Sequence, residues 1–152
     1  MARPHPLKAL MATPLPPITF QKKKGYRPSL REVRHIYRLL NKYVFKNQLK
    51  MPIIEIGTCR KYWGMCIGSE FPTRSGSRCK IKLMDKWFCV QWLVTTLAHE
   101  MVHQYEWDIL NKSMTHRQSF FIWRDQLAKF NIDLKTFHGQ KRWFKHQDFK
   151  KS

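Results

Sequence analysis

Leu97-Ala98-His99-Glu100-Met101-Val102-His103 lies in a segment whose apolar residues Val90, Leu93, Leu97, Met101 and Tyr105 recur at helical spacing. On such a helix His99 and His103 stand one turn apart on one face, with Cβ atoms about 5–6 Å from each other. Two imidazoles so placed reach one zinc ion through bonds of about 2.0–2.1 Å. Glu100 projects at a different angle, so it approaches a water on the metal, not the metal itself, and can take its proton. That is the mechanical reason the H-E-x-x-H spacing serves zinc-dependent peptide hydrolysis. Glu100 is the candidate catalytic residue. The competing arrangement is two histidines on a polar helix face, paired with Glu106 or Glu100.

A catalytic zinc normally has three protein ligands and an open position. A metzincin-type third ligand would need glycine at position 106 and histidine at 109; Glu106 and Ile109 stand there. A thermolysin-type site would need a glutamate on a later helix, and none follows Glu106. Asp108 and Asp125 remain as carboxylates. His116 is the better candidate, because a loop over about 110–114 can turn the chain back toward the helix. His138 is the second choice. The expected cofactor is one catalytic Zn2+.

Outward from the motif, Ser29-Leu30-Arg31-Glu32 reads as a capping box. Leu30, Val33, Tyr37, Leu40 and Val44 follow at helical spacing, predicting a helix over about 29–46 that stops at Asn47. Three strand-like segments come next. Ile54 and Ile56 alternate with polar or small residues, as do Trp63, Met65 and Ile67, and Cys79, Ile81 and Leu83. Their short connections predict a three-stranded antiparallel meander with one wet face, to which Lys80 and Lys82 belong. Asp85 is the expected cap of the motif helix. A last helix is expected over about 115–130, with Phe120, Trp123, Leu127 and Phe130 inward. Trp63 is expected in the core; Tyr62 and Trp63 are also candidates to line a substrate groove, and Tyr105 or an arginine to stabilise an oxyanion.

The 152 residues carry 29 Lys plus Arg against 10 Asp plus Glu, a formal net charge of +19. Such a field attracts polyanions, and nucleic acid is the expected partner beside a polypeptide substrate. Six of the eight prolines fall in residues 1–28, and residues 1–27 contain no acid. This basic, Pro-rich tail cannot bury enough surface to fold alone, so it lies across the domain, binds a partner or stays mobile. Its prolines argue against an amphipathic helix. Lys22, Lys23 and Lys24 are candidate phosphate contacts there. Lys141, Arg142 and Trp143 are candidates in a second basic, aromatic tail over 136–152, where Trp143 can stack on an unpaired base. Lys80 and Lys82 complete the set. No run of about 18 apolar residues predicts a membrane span, and no secretory signal is apparent. An intracellular, cytoplasmic or nucleic-acid-associated location is expected, with Cys59, Cys66, Cys79 and Cys89 as free thiols.

The order of parts resembles the SprT-like metalloprotease domain, the family that includes the DNA-dependent protease Spartan. The resemblance runs through Leu40-Asn41-x-x-Val44-Phe45, Leu49-x-x-Pro52-x-Ile54, Trp63-Gly64, Leu97 to His103, and His116-x-x-x-Phe120, covering about residues 30–130. It implies an α+β, zincin-like domain over 28–135: an N-terminal helix, the small sheet, an active-site helix carrying HExxH and a following helix. It also implies that His99, His103 and His116 bind zinc, that Glu100 is the base, and that the substrates are proteins on or near nucleic acid. Two departures stand out. Thr115 occupies the position before the third histidine where the family usually has glycine; a threonine there can serve as a helix cap. No cysteine follows Cys89, so the cysteine-rich zinc module many members carry after the protease core is missing from this sequence. The alternative function is a nucleic-acid-associated structural or assembly component that keeps the fold but cuts little.

Overall fold

A computed structural model describes residues 5–14, 25–59 and 61–134. The elements are helix α1 (Pro6–Met11), helix α2 (Leu30–Tyr43), strands β1 (Ile53–Ile56), β2 (Gly64–Gly68) and β3 (Cys79–Leu83), and helix α3 (Val90–Gln104). A π-helical turn (Tyr105–Ile109) continues α3, followed by helices α4 (Gln118–Phe121) and α5 (Arg124–Ala128). The architecture is zincin-like: an N-terminal helix, a small sheet, a helix bearing the His-Glu-x-x-His motif and further helices after it.

Helix α2 starts where its sequence says it should. Ser29 Oγ accepts the Glu32 amide at 3.1 Å, and Glu32 accepts the Ser29 amide at 3.2 Å. Val33, Ile36, Tyr37 and Leu40 form its buried stripe. The helix ends at Tyr43 with Val44 as its cap, short of the expected 46, and Lys46 and Asn47 then take left-handed backbone angles, φ 55° and 60°, that turn the chain. Asn41 pins the returning chain by exchanging hydrogen bonds with both the amide and the carbonyl of Leu49.

The sheet departs from the expected meander in two ways. Its order is β1-β3-β2, with β3 antiparallel to β2 but parallel to β1. The β1–β2 connection carries the chain past one strand position, and β3 turns back from β2 as a hairpin to fill it. The inward face of β2 is also the opposite of what its apolar residues suggest: Met65 and Ile67 are exposed, while Gly64, Cys66 and Gly68 face inward. The reason is space. A Cβ on Gly64 would lie 2.7 Å from Thr96 Cγ2, and one on Gly68 would lie 2.5 Å from the Trp107 ring. Only a residue without a side chain lets β2 approach α3 so closely.

Helix α3 is the spine of the core. Fourteen of its fifteen residues are buried. Asp85 does not cap it; Cys89 occupies the cap position without a side-chain hydrogen bond. Asp85 instead accepts from Thr58 at 3.1 Å and faces Arg27 at 3.9 Å. Trp63, Trp87, Phe88 and Trp92 pack as one aromatic cluster at the helix start, with ring centroids 4.1–5.4 Å apart. Trp63 is therefore core, as its sequence context predicted. The four cysteines are free thiols.

Two further expectations are corrected. The last helix is broken at Ile122–Trp123 into α4 and α5, although Phe120, Leu127 and Phe130 are buried as expected and Trp123 half-buried. A helix, α1, forms in the Pro-rich N-terminal segment. Pro6 sits at its first position, where a missing amide costs nothing, and His5 Nδ1 accepts the Leu7 and Lys8 amides. Leu7 is fully buried, and Gln91 donates to the Thr13 carbonyl, so residues 5–14 lie across the domain. Among the described residues no helix is long and apolar enough to cross a membrane.

Candidate active site

Helix α3 carries His99 and His103 on one face, and the loop after the π-turn carries His116 to them. The three Nε2 atoms form an equilateral triangle with sides of 3.2 Å. A zinc ion with bonds of about 2.0–2.1 Å and tetrahedral angles needs donors about 3.3 Å apart. The triangle fits. Mutual hydrogen bonding is a poor alternative account, because each Nε2 offers either one proton or one lone pair. A cation facing all three satisfies them together, and three imidazoles with an open fourth position suit zinc. His99 and His103 are buried and His116 is exposed, so the cluster opens to solvent on the His116 side. Phe120 floors it, its ring centroid 4.7–5.0 Å from each imidazole.

Two buried carboxylates, one on α3 and one on the π-turn after it, sit in opposite environments. Glu100 sits under β2, and a Cβ on Gly64 would come within 3.2 Å of its Oε2. Burial pushes its carboxyl up to about 8, opposed only by a hydrogen bond from the Cys66 backbone amide. Glu106 is completely buried on the π-turn. Burial pushes its carboxyl upward too, but bonds from Ser119, His103 and Thr115 outweigh that and hold it below the ordinary glutamate range. His103 Nδ1 donates to it at 2.8 Å, Ser119 Oγ at 2.6 Å and Thr115 Oγ1 at 2.9 Å. Burial keeps the His103 pKa below its ordinary value, with Glu106 opposing. With Nδ1 donating to Glu106, the His103 lone pair is on Nε2, facing the triangle.

The sequence profile of the SprT-like family matches residues 33–138, well over half of the chain. The chain belongs to the SprT-like family. No curated protein matches it. The HExxH spacing, the converging third histidine and the family together make this SprT-like chain a zinc metalloprotease. Helix α1 and Tyr26, which pairs with Trp87 in an isolated bridge, precede the matched stretch.

The departure at Thr115 now has a structural meaning in this SprT-like site. Thr115 is not the cap of α4, whose cap position is Arg117. Its amide and hydroxyl both donate to Glu106, which ties the His116 loop to the end of α3. The sequence signal for Glu106 was its place three residues after His103, on the same helix face. Ser119 and Thr115 left no pattern, because both reach Glu106 only through the loop. Tyr105 does not join the histidines; its ring packs on Phe45 and Trp123. Tyr62 is half-buried. On the outer face of β3, Lys80 pairs with Glu55 at 3.1 Å, and Lys82 shares that face. Lys22, Lys23, Lys24, His138, Lys141, Arg142 and Trp143 lie outside the described residues.

Proposed function

We propose that the protein is a zinc-dependent endopeptidase acting on polypeptides bound to or assembled with nucleic acid. The observation that carries the peptidase reading is the 3.2 Å triangle of imidazole nitrogens, with Glu100 buried on the same helix next in sequence to His99. His99, His103 and His116 are the ligands of one ion. Zinc bound there would supply Lewis acidity, polarising the scissile carbonyl and lowering the pKa of an adjacent water. Glu100 takes the proton from the attacking water and returns it to the leaving amine. Glu106 holds the His103 ring in the tautomer that presents Nε2. Strand β2 is an outer strand of the sheet, and its Gly64 end lies against Glu100. An extended substrate adds beside it as a further strand, so main-chain hydrogen bonds hold the peptide whatever its sequence.

The nucleic-acid part of the reading rests on a net charge of +19, which concentrates polyanions and the proteins they carry near the site. Cleavage of a DNA-binding protein by the zinc-loaded chain, with and without DNA, tests both parts. The expected result is cleavage by the native chain, stimulated by DNA and weakened by salt, and none by Glu100→Gln. Loss of one equivalent of zinc in His116→Ala completes the assignment. Cleavage that ignores DNA would leave the peptidase reading standing and remove its substrate class. A Glu100→Gln variant with undiminished biological activity would favour the assembly-component role.

A further inference from the structure

Ser119, which donates to Glu106, also lines a cleft of about 540 Å³ between the turn after α2, the π-turn and α4. Its volume is within the range of about 300–1,000 Å³ typical of small-molecule pockets. Tyr105, Trp123, Leu110 and Ile122 form apolar walls, and Lys46 and Lys112 add positive charge. No carboxylate lines it. Neither lysine makes an ion pair among the described residues.

Three features make this more than a gap in the packing. Trp123 lines the cleft with its ring, while its Nε1 is sealed from solvent and has no acceptor among the described residues. The rings are held in place: Trp123 packs on Phe45 and Tyr105 with centroids 4.6 and 4.8 Å away. Ile122 is 71% exposed and Leu110 40%, which leaves the apolar walls of the cleft open to a ligand. The amides of Gln48 and Gln118 also line the cleft, offering both donors and acceptors.

We propose that this cleft binds an unpaired nucleobase, with Lys46 and Lys112 on the flanking phosphates. The proposal rests on the nucleic-acid reading above and gives it a location. Aromatic walls take the flat π-face of a base, the side-chain amides meet its polar edge, and the two cations meet the backbone. An apolar peptide side chain would use the walls but leave both lysines unanswered. A base in a duplex is stacked and paired and cannot enter, so the pocket selects single strands or unpaired positions.

Fluorescence anisotropy of the zinc-loaded full chain tests this with three labelled DNA probes of equal length: a single strand, the same strand with an abasic stretch, and a duplex. The native chain is expected to bind the intact single strand about tenfold more tightly than the abasic strand. Trp123→Leu should erase that preference and leave abasic affinity unchanged. Lys46→Gln with Lys112→Gln should weaken binding to the intact strand and lower the salt slope by up to about 2. Should Trp123→Leu not fold, as read from its melting curve and zinc content, Ile122→Glu replaces it, since its side chain is on the surface. Equal affinity for intact and abasic strands would overturn the pocket and spare the nucleic-acid reading. Absence of binding to all three probes at low salt would overturn both. A changed KM for a peptide substrate with the base preference intact would assign the cleft to the substrate and overturn the proposal.

Discussion

Helices α2 and α3 are nearly the same length, 14 and 15 residues, and are built on opposite plans. Helix α2 is amphipathic, closes its first turn with a complete capping box and lays one apolar stripe on the core. Helix α3 has no side-chain cap and is buried on all sides, yet it carries His99, Glu100, His103 and Gln104 inside. Burying such groups costs several kcal/mol unless partners answer them, typically about 1–3 kcal/mol for each polar group left unmet. Gln104 is answered by Tyr37, whose hydroxyl donates to it at 2.8 Å, and by the Lys50 carbonyl at 2.7 Å. His103 is answered by Glu106. The comparison separates a helix whose form is set within its own sequence from one held in place by everything around it, with polar groups kept where chemistry needs them.

The sharpest way to break α3 without disturbing α2 is Glu100→Gln. Peptide hydrolysis should fall by about 10²–10⁴-fold with zinc content and melting temperature retained, read by metal analysis, calorimetry and a cleavage assay. Glu106→Gln should come next. It weakens the hold on the His103 tautomer and on Thr115 and Ser119, so zinc affinity should drop about 10–100-fold, measured by competition with a chelating indicator. Gly64→Ala tests the close passage of β2 over α3. The added Cβ meets Thr96 and Glu100, and stability should fall by about 1–3 kcal/mol in a denaturant titration, with activity reduced alongside.

On α2 the effects should be smaller and purely structural. Ser29→Ala should cost about 1 kcal/mol and leave the turnover of the remaining folded protein unchanged. The smallest effect is one of pH. The Tyr26 hydroxyl, and then the Ser29 backbone amide, hold the Glu32 carboxyl below its ordinary value of 4.5. A depressed carboxyl stabilises the fold above its unfolded pKa, and that contribution is lost as pH falls through its folded value. The stability gap between the native chain and Glu32→Gln should therefore be constant near neutrality and shrink on acidification below about pH 4.5, followed by thermal melts across that range.

Much of this molecule was legible because its signals are local. The capping box at Ser29, the strand positions and the His99–His103 spacing each depend on residues within one or two turns of one another. The strand order was not legible, because nothing within β1, β2 or β3 says that β3 returns to the middle. The inward face of β2 misled for a related reason. Apolar alternation assumes that large residues fill the interior, and here the interior is already filled by Thr96, Glu100 and Trp107, so the glycines turn inward. The N-terminal helix escaped notice because Leu7 finds its partners only in the assembled core.

By itself the amino-acid order determined that two imidazoles and a carboxylate share one helix turn, since helical pitch alone sets that distance. Only the tertiary structure decided that His116 closes the triangle at 3.2 Å and that Glu106, Thr115 and Ser119 brace it. Those groups are separated by the π-turn and a loop, and a loop's path is set by what it packs against, not by a repeat in its sequence.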